Sequence, residues 1–281
     1  MIRKFAGKKL AAVMVCAGLA VSAAGCAKEA GLEGNIQLVG STSMEQMCIG
    51  LSEAYMEKEP EVTVSAEYVG STAGMEALLG GSADIGTSSR NLTQEEKDAG
   101  AVENIVAKDG ISVIANPAVT GVTALTSEQI AAIYTGKITN WSEVGGPDMP
   151  IITIGHEAGS GTRDPFEEIL GIVDQCHYAN ELSGSGAVIV RVAETEGAIG
   201  YCSLALVDDS VVGVAVDGVE PTQENVQNGS YGLNKTMVMA TMGPIGEQSE
   251  LIQNFFDFVY SEEGEAQIEA ANLIPIPRAE G

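Results

Sequence analysis

The sequence predicts an α/β protein of two domains, and three observations carry that reading. Short apolar segments alternate with amphipathic ones in βαβα order, the pattern of a largely parallel sheet flanked by helices. The alternation restarts after "ISVIANPAVTG". The chain beyond residue 25 is also long enough for two domains of ordinary size.

Taken in order, "NIQLVG" is a short apolar strand and "STSMEQMCIGLSEAYMEKE" a helix opened by Ser and Thr caps. "VTVSAEYV" is a strand, "STAGMEALLGG" a helix, "ADIGTSS" a strand and "TQEEKDAG" a short helix. After the restart come the helix "TSEQIAAIYTG", the strand "PIITIGHE", the helices "GTRDPFEEILG" and "GAVIVRVAETEG", and the strands "AIGYCSL" and "VVGVAVDGV". "SELIQNFFDFVYSEEGEAQIEAAN" is helical, with aromatics spaced to pack on a core. Trp141 in "KITNWSEVGG" reads as an anchor for its loop.

The ends and the charge narrow the function. Residues 1–25 carry Arg3, Lys4, Lys8 and Lys9 ahead of the apolar "LAAVMVCAGLAVSAAG", which is the layout of a secretory signal. Cys26 follows at once in "SAAGC", which resembles the bacterial lipobox, although Ala23 stands where that motif prefers Leu, Val or Ile. Acylation of Cys26 would anchor the chain, and residues 26–34 then read as a lipidated polar tether. Loss of the signal removes four basic residues and no acids, so the mature chain is more acidic than the full-length charge of −25. Nucleic acid and anionic membrane surfaces are poor partners for such a surface. Cys48 lies on a helical pattern with Met44, Met47 and Leu51 and reads as a buried thiol, while a Cys176–Cys202 disulfide has no support from spacing. With two histidines and no CxxC or HExxH run, no zinc site is expected.

Three loops share one design: "GSTSM" at 40–44, "GSTAG" at 70–74 and "AGSGTR" at 158–163 each follow a strand, carry hydroxyls and open a helix. A helix N-terminus offers unpaired N–H groups and partial positive charge, glycine lets the backbone approach closely, and hydroxyls add short donors. In open α/β sheets such loops converge outside the carboxyl ends of the strands. "TSSR" at 87–90 also just follows a strand. Each loop alone is an ordinary N-cap; together, two of them carrying an arginine, they form a candidate anion site. An enzyme is the competing class, but no serine lies in GxSxG or SxxK, and Gly136-Lys137 runs into Ile138 instead of completing a Walker A motif.

The order "GSTSM…YVGSTAGMEALLGGSADIGTSSR…IYTGKITNWSEVGG…GHEAGSGTRDPFEE…ETEGAIGYCSL…DGVEPTQENV" resembles the substrate-binding lipoprotein of the bacterial phosphate ABC transporter, over nearly the whole mature chain. The resemblance implies a type II periplasmic-binding-protein fold: two lobes, each a mostly parallel sheet flanked by helices, with the ligand in the cleft between them. It places lobe one at 35–116 and 236–281 and lobe two at 117–235. It implies a phosphate site drawn from Ser41, Thr42, Ser43, Ser71, Ser89, Arg90, His156, Ser160, Gly161, Thr162 and Arg163, with no catalytic residue, metal or cofactor. It further implies a monomer outside the cytoplasm, lipid-anchored to the cell membrane, whose partners are inorganic phosphate and the permease subunits. Another tetrahedral oxyanion, sulfate or molybdate, is the alternative ligand, and a secreted phosphoesterase the alternative activity.

Two positions depart from the family's best-known form. Ser89 stands where that form has an aspartate that accepts the phosphate proton, and His156 where it has an arginine, with Arg163 following the Gly-Ser-Gly-Thr run instead. Arg90 and Arg163 are therefore expected to supply the fixed charge. At an ordinary pKa of about 6.5, His156 is neutral at neutral pH, where it either accepts the phosphate proton or caps its strand, and becomes imidazolium towards pH 5.5.

Overall fold

A computed structural model describes residues 31–278. Residues 1–25, Cys26 and the first part of the tether lie outside them. The chain enters through β1 (Gly34–Gly40), a short 3-10 turn and α1 (Glu45–Lys58), then β2 (Val62–Tyr68), α2 (Ser71–Leu79), β3 (Ile85–Ser88), α3 (Gln94–Asp98) and β4 (Ala101–Val102). The long strand β5 (Ile105–Ala115) follows, then β6 (Ala124–Leu125), α4 (Ser127–Tyr134), β7 (Ile152–His156), α5 (Arg163–Leu170), β8 (Asn180–Leu182), α6 (Ser185–Glu194), β9 (Ala198–Ser203), β10 (Val212–Val216) and α7 (Gln223–Gln227). A second long strand, β11 (Asn234–Met242), then precedes α8 (Glu250–Val259), α9 (Glu262–Ala270) and β12 (Ile274–Pro275).

One curled sheet runs β2-β1-β3-β11-β5-β9-β7-β8. Its two ends are parallel: β2, β1 and β3 at one, β9, β7 and β8 at the other. The middle is antiparallel, because β11 runs against both β3 and β5, and β5 against β9. Parallel pairing follows from the helical crossovers that the sequence announces. The antiparallel centre comes from two strands that the periodicity did not mark. Within β5, Lys108-Asp109-Gly110 looks like a turn signal, yet the strand continues through it: residues 105–110 pair with β11 and 111–115 with β9.

The core is divided in the same way. On one side, Met44, Met47, Cys48, Leu51 and Tyr55 around α1 pack against Phe255, Phe256 and Phe258 of α8 and Ile268 of α9. Tyr55 meets Phe255 edge-on at 5.1 Å, a geometry that adds about 0.5–1.5 kcal/mol beyond buried area. On the other, Tyr134, Trp141, Phe166 and Tyr201 lie in one cluster, with Phe166 stacked on Tyr201 at 3.7 Å. Val106 and Ala107 of β5 belong to the first cluster, Ile111 and Val113 to the second, so the strand contributes to both cores.

Local chemistry sets the helix ends. Thr93 with Glu96, and Thr126 with Gln129, form capping boxes. The C-terminal helical stretch, read from sequence as continuous, is two helices: α8 stops at Val259, and the Ser261 hydroxyl accepts from the Gly264 N–H to start α9. Trp141 is buried and donates Nε1–H to the Gly197 carbonyl at 2.9 Å, anchoring its loop as expected. Among the described residues Cys48, Cys176 and Cys202 form no disulfide; burial holds Cys48 protonated, its pKa pushed up to about 12.

Candidate functional site

The three hydroxyl-bearing loops and the turn after β3 meet where the lobes face each other. In the first loop, Ser41 caps the 3-10 turn, its Oγ accepting from the Ser43 N–H at 3.2 Å, while its own N–H donates to the Thr87 carbonyl at 3.0 Å. The loop is thereby tied to the end of β3, which leads directly into Ser88 and Ser89. In the second, Ser71 is the first residue of α2, and its Oγ accepts from the Ser89 N–H at 3.1 Å. Ser41, Ser43, Ser71 and Ser89 are all buried on lobe one.

Lobe two brings the third loop against them. The Ser160 Oγ accepts from the Thr162 N–H at 3.2 Å, shaping the turn that precedes α5. Gly161 then passes so close that a Cβ there would collide with Ser71 Oγ and stand 2.6 Å from Ser89 Oγ. Only glycine permits this approach. Beside it, Thr162 Oγ1 lies 3.2 Å from Ser43 Oγ, and the Thr72 N–H donates to the Gly159 carbonyl at 3.2 Å. Thr42 closes the other flank: its hydroxyl would be 2.8 Å from a Cβ at Gly184. The result is a buried floor of hydroxyls from both lobes.

The two arginines are elsewhere. Arg90 makes a bidentate pair with Glu96 at 2.8 and 2.9 Å, donates to the Asn91 carbonyl and the Thr72 hydroxyl, and holds Nε 3.1 Å from Asp164 across the cleft. That last contact has ion-pair distance without hydrogen-bond alignment. Arg163 pairs with Glu167 at 2.7 Å and Glu181 at 2.8 Å, donates to the His156 carbonyl, and lies 4.9 Å over the Tyr178 ring. The hydrogen bond to Glu96 raises the Arg90 pKa; for Arg163 burial works in the opposite direction and the carboxylate partners outweigh it. Both expected sources of positive charge are thus compensated by acids that the sequence reading did not pair with them. Arg90 lines the rim of a cleft of about 350 Å³ together with Asn91, Asp164, Pro165 and Lys235, whereas Arg163 stands outside that lining, beside Ala158, Gly159 and Glu167.

His156 also differs from its expectation. Its ring is 1% exposed and Nε2 lies 3.0 Å from the Tyr201 carbonyl. A carbonyl only accepts, so Nε2 carries the hydrogen and Nδ1 is a bare lone pair, with no partner among the described residues. Burial, reinforced by the charges of Lys235 and Arg163, lowers its pKa to about 3. The ring therefore stays neutral at pH 5.5, where an ordinary histidine would have become imidazolium.

The residue that sequence reasoning missed is Lys235. It is 3% exposed, and its Nζ donates to Thr162 Oγ1 at 2.7 Å and to Ser43 Oγ at 3.1 Å, one hydroxyl from each lobe. Asp109, its cross-strand partner, stands 3.6 Å away and is itself held by the Ser203 hydroxyl and the Ala205 N–H. Dehydration lowers the lysine and raises the aspartate, and their mutual attraction opposes both shifts. The signal that could have found it is a lysine flanked by strand-forming residues in "NKTMVMATM", where a buried charge requires a partner.

Known proteins share this arrangement of chain and fold. The family model described as PBP superfamily domain matches residues 26–263. The phosphate-binding protein PstS of Bacillus subtilis is 32% identical over 237 residues, covering 82% of this chain and 76% of that protein. PstS of Borreliella burgdorferi is 26% identical, covering 86% and 90%. Among solved structures, a phosphate ABC transporter substrate-binding protein from Clostridium perfringens with bound phosphate superposes with a TM-score of 0.81 at 41% identity, covering 86% of this chain and all of that one. An ABC-type phosphate transport receptor from Vibrio cholerae gives 0.74 at 33% identity over the same shares. The chain belongs to the PBP superfamily, in the family of the bacterial phosphate-binding proteins, and has its two-lobed fold.

Proposed function

We propose that this chain binds inorganic phosphate outside the cytoplasm and delivers it to the permease of an ABC transporter, without turning it over. The observation that carries the reading is the floor itself: buried hydroxyls of Ser41, Ser43, Ser71, Ser89 and Thr162, from both lobes, with Thr162 against Ser43 and Gly161 against Ser71 and Ser89. The relatives named for phosphate support the same ligand. Hydrogen bonds to a charged group contribute roughly 1.5–3 kcal/mol each, and a micromolar complex needs only about −8 kcal/mol. A handful of aimed donors is sufficient, and at a Debye length of about 8 Å the acidic exterior is largely screened from them.

In this reading the lobes exchange at Gly110–Ile111 on β5, where the pairing partner changes, instead of after residue 116, and on return just before Asn234 instead of after residue 235. His156 takes the part of the absent aspartate: its buried Nδ1 lone pair suits the proton that phosphate carries and sulfate lacks. Cys26 carries the lipid, and Cys26→Ser should release the protein from the membrane fraction with phosphate affinity unchanged.

Calorimetric titration with phosphate and sulfate tests the function. One phosphate per chain, micromolar or tighter, with sulfate far weaker and no phosphate ester hydrolysed, is the expected result. His156→Ala should weaken phosphate far more than sulfate; equal losses would remove His156 from the acceptor role. Equal binding of both anions by the unaltered protein would count against phosphate selectivity, and ester turnover against a transport role.

A further inference from the structure

We propose that Lys235 is the cation of the anion site, held by Asp109 at the crossing between lobes and positioning one hydroxyl from each lobe as a donor. The inference rests on the phosphate-binding reading and adds the source of the charge.

An ammonium group has three N–H donors and no acceptor. With Lys235 donating to both Ser43 Oγ and Thr162 Oγ1, each oxygen must accept from it, so neither hydroxyl can turn its proton towards Nζ. Those protons are left to point at each other's oxygen or at an anion on the floor. Lys235 thereby fixes two otherwise freely rotating hydroxyls in the sense that an oxyanion requires.

The distribution of acids separates Lys235 from the arginines. Arg90 answers to Glu96 and Asp164, and Arg163 to Glu167 and Glu181. Among the described residues Lys235 has Asp109 alone, at 3.6 Å, and that carboxylate is shared with the Ser203 hydroxyl and the Ala205 N–H. A buried anion without a nearby cation is costly, and Lys235 is the buried cation in direct contact with the candidate donors. Its place in the fold makes it common to both lobes: Lys235 on β11 and Asp109 on β5 are register partners on the two strands that link them. An incoming anion would favour the charged form of the lysine, which dehydration alone disfavours.

The test compares four proteins by calorimetry with inorganic phosphate and by thermal unfolding: the unaltered chain, Lys235→Met, Lys235→Arg, and the double variant Asp109→Asn with Lys235→Met. Removing both members of a buried pair is often neutral for folding, so the double variant should melt near the unaltered protein. It should bind phosphate at least about 100-fold more weakly, and Lys235→Arg should recover at least about tenfold of that loss. A folded double variant that binds phosphate within about threefold of the unaltered chain overturns the assignment and leaves the phosphate reading intact. An unaltered chain that binds no phosphate overturns both. Independently of any folding defect, the Lys235 ammonium resonance in lysine-labelled protein, assigned by its loss in Lys235→Arg, should shift on phosphate addition. An unmoved resonance at saturating phosphate overturns the proposal.

Discussion

The floor and the rim of the cleft use the same kinds of residue to opposite ends. On the floor, Ser43, Thr162 and Lys235 come together with a single carboxylate among the described residues, Asp109, within ion-pair reach of Nζ. At the rim, Arg90 is matched by two carboxylates, of which Asp164 bridges the lobes, and beyond it Arg163 is matched by Glu167 and Glu181. Charge count in a motif says little about where an anion binds; what decides is whether the cation is already compensated. The floor should accordingly control affinity, and the rim folding and lobe contact.

The largest effect expected on that division is Gly161→Val. Its side chain would displace Ser71 and Ser89 Oγ, and with each charge-assisted hydrogen bond carrying about 1.5–3 kcal/mol, phosphate affinity should fall by roughly 100-fold or more. Thermal unfolding should hardly move, since the collision falls on two serine hydroxyls in the cleft and not within either hydrophobic core. A variant that binds normally would show that the floor is not the site.

Arg90→Met should do the reverse. It leaves Glu96 buried without its partner, which typically costs about 3–5 kcal/mol of folding stability, while the folded fraction should bind phosphate within about threefold of the unaltered protein. Urea unfolding and calorimetry on the same preparation would separate the two quantities. An affinity loss exceeding the stability loss would move Arg90 into the site.

Next in size is the pH response of His156. Its native pKa of about 3 lies below the unfolded value near 6.5, so below pH 6.5 the unfolded chain takes up a proton that the native state refuses. Stability from this group is full above about pH 6.5 and falls on acidification, by about 2 kcal/mol between pH 6.5 and 5. Tyr201, Lys235 and Arg163 face the ring, and the two cations oppose its protonation. His156→Gln should flatten this part of the pH–stability curve in urea unfolding. A variant as steep as the parent would assign the slope to other groups. Sulfate binding should be the same at pH 7.5 and 5.5, because the ring is neutral at both.

Smallest is Asp164→Asn. The Arg90–Asp164 contact is part-exposed, with Asp164 37% accessible, and its removal should change phosphate affinity by less than about 1 kcal/mol, an effect fading in high salt. A larger, salt-independent loss would mean that the bridge closes the lobes more strongly than an exposed pair can.

Much of the fold is legible in the sequence because helix caps and apolar periodicity are local. α1, α2, α4, α5 and α6 open on the Ser, Thr and Gly turns that announce them. β5 and β11 are not legible, since Lys108 and Asp109 interrupt the apolar run of the first and Lys235 stands ahead of that of the second, and Asp109 and Lys235 make sense only once paired across strands. The same physics explains the site. The hydroxyl loops carry their design within five or six residues, whereas the partners of Arg90 and Arg163 depend on side-chain packing, including a contact across the cleft to Asp164. His156 shows the limit again: its residue type suggests a switch near neutrality, but burial beside Tyr201 removes it.

The most direct test of the floor as the binding site is a crystal structure with arsenate, whose anomalous scattering marks the anion without relying on shape. The anion should lie within hydrogen-bond distance of the Ser43, Ser71 and Thr162 hydroxyls and against the backbone of Gly161. An arsenate seated instead on the Arg90 or Arg163 guanidinium, with the hydroxyl floor untouched, would contradict the account.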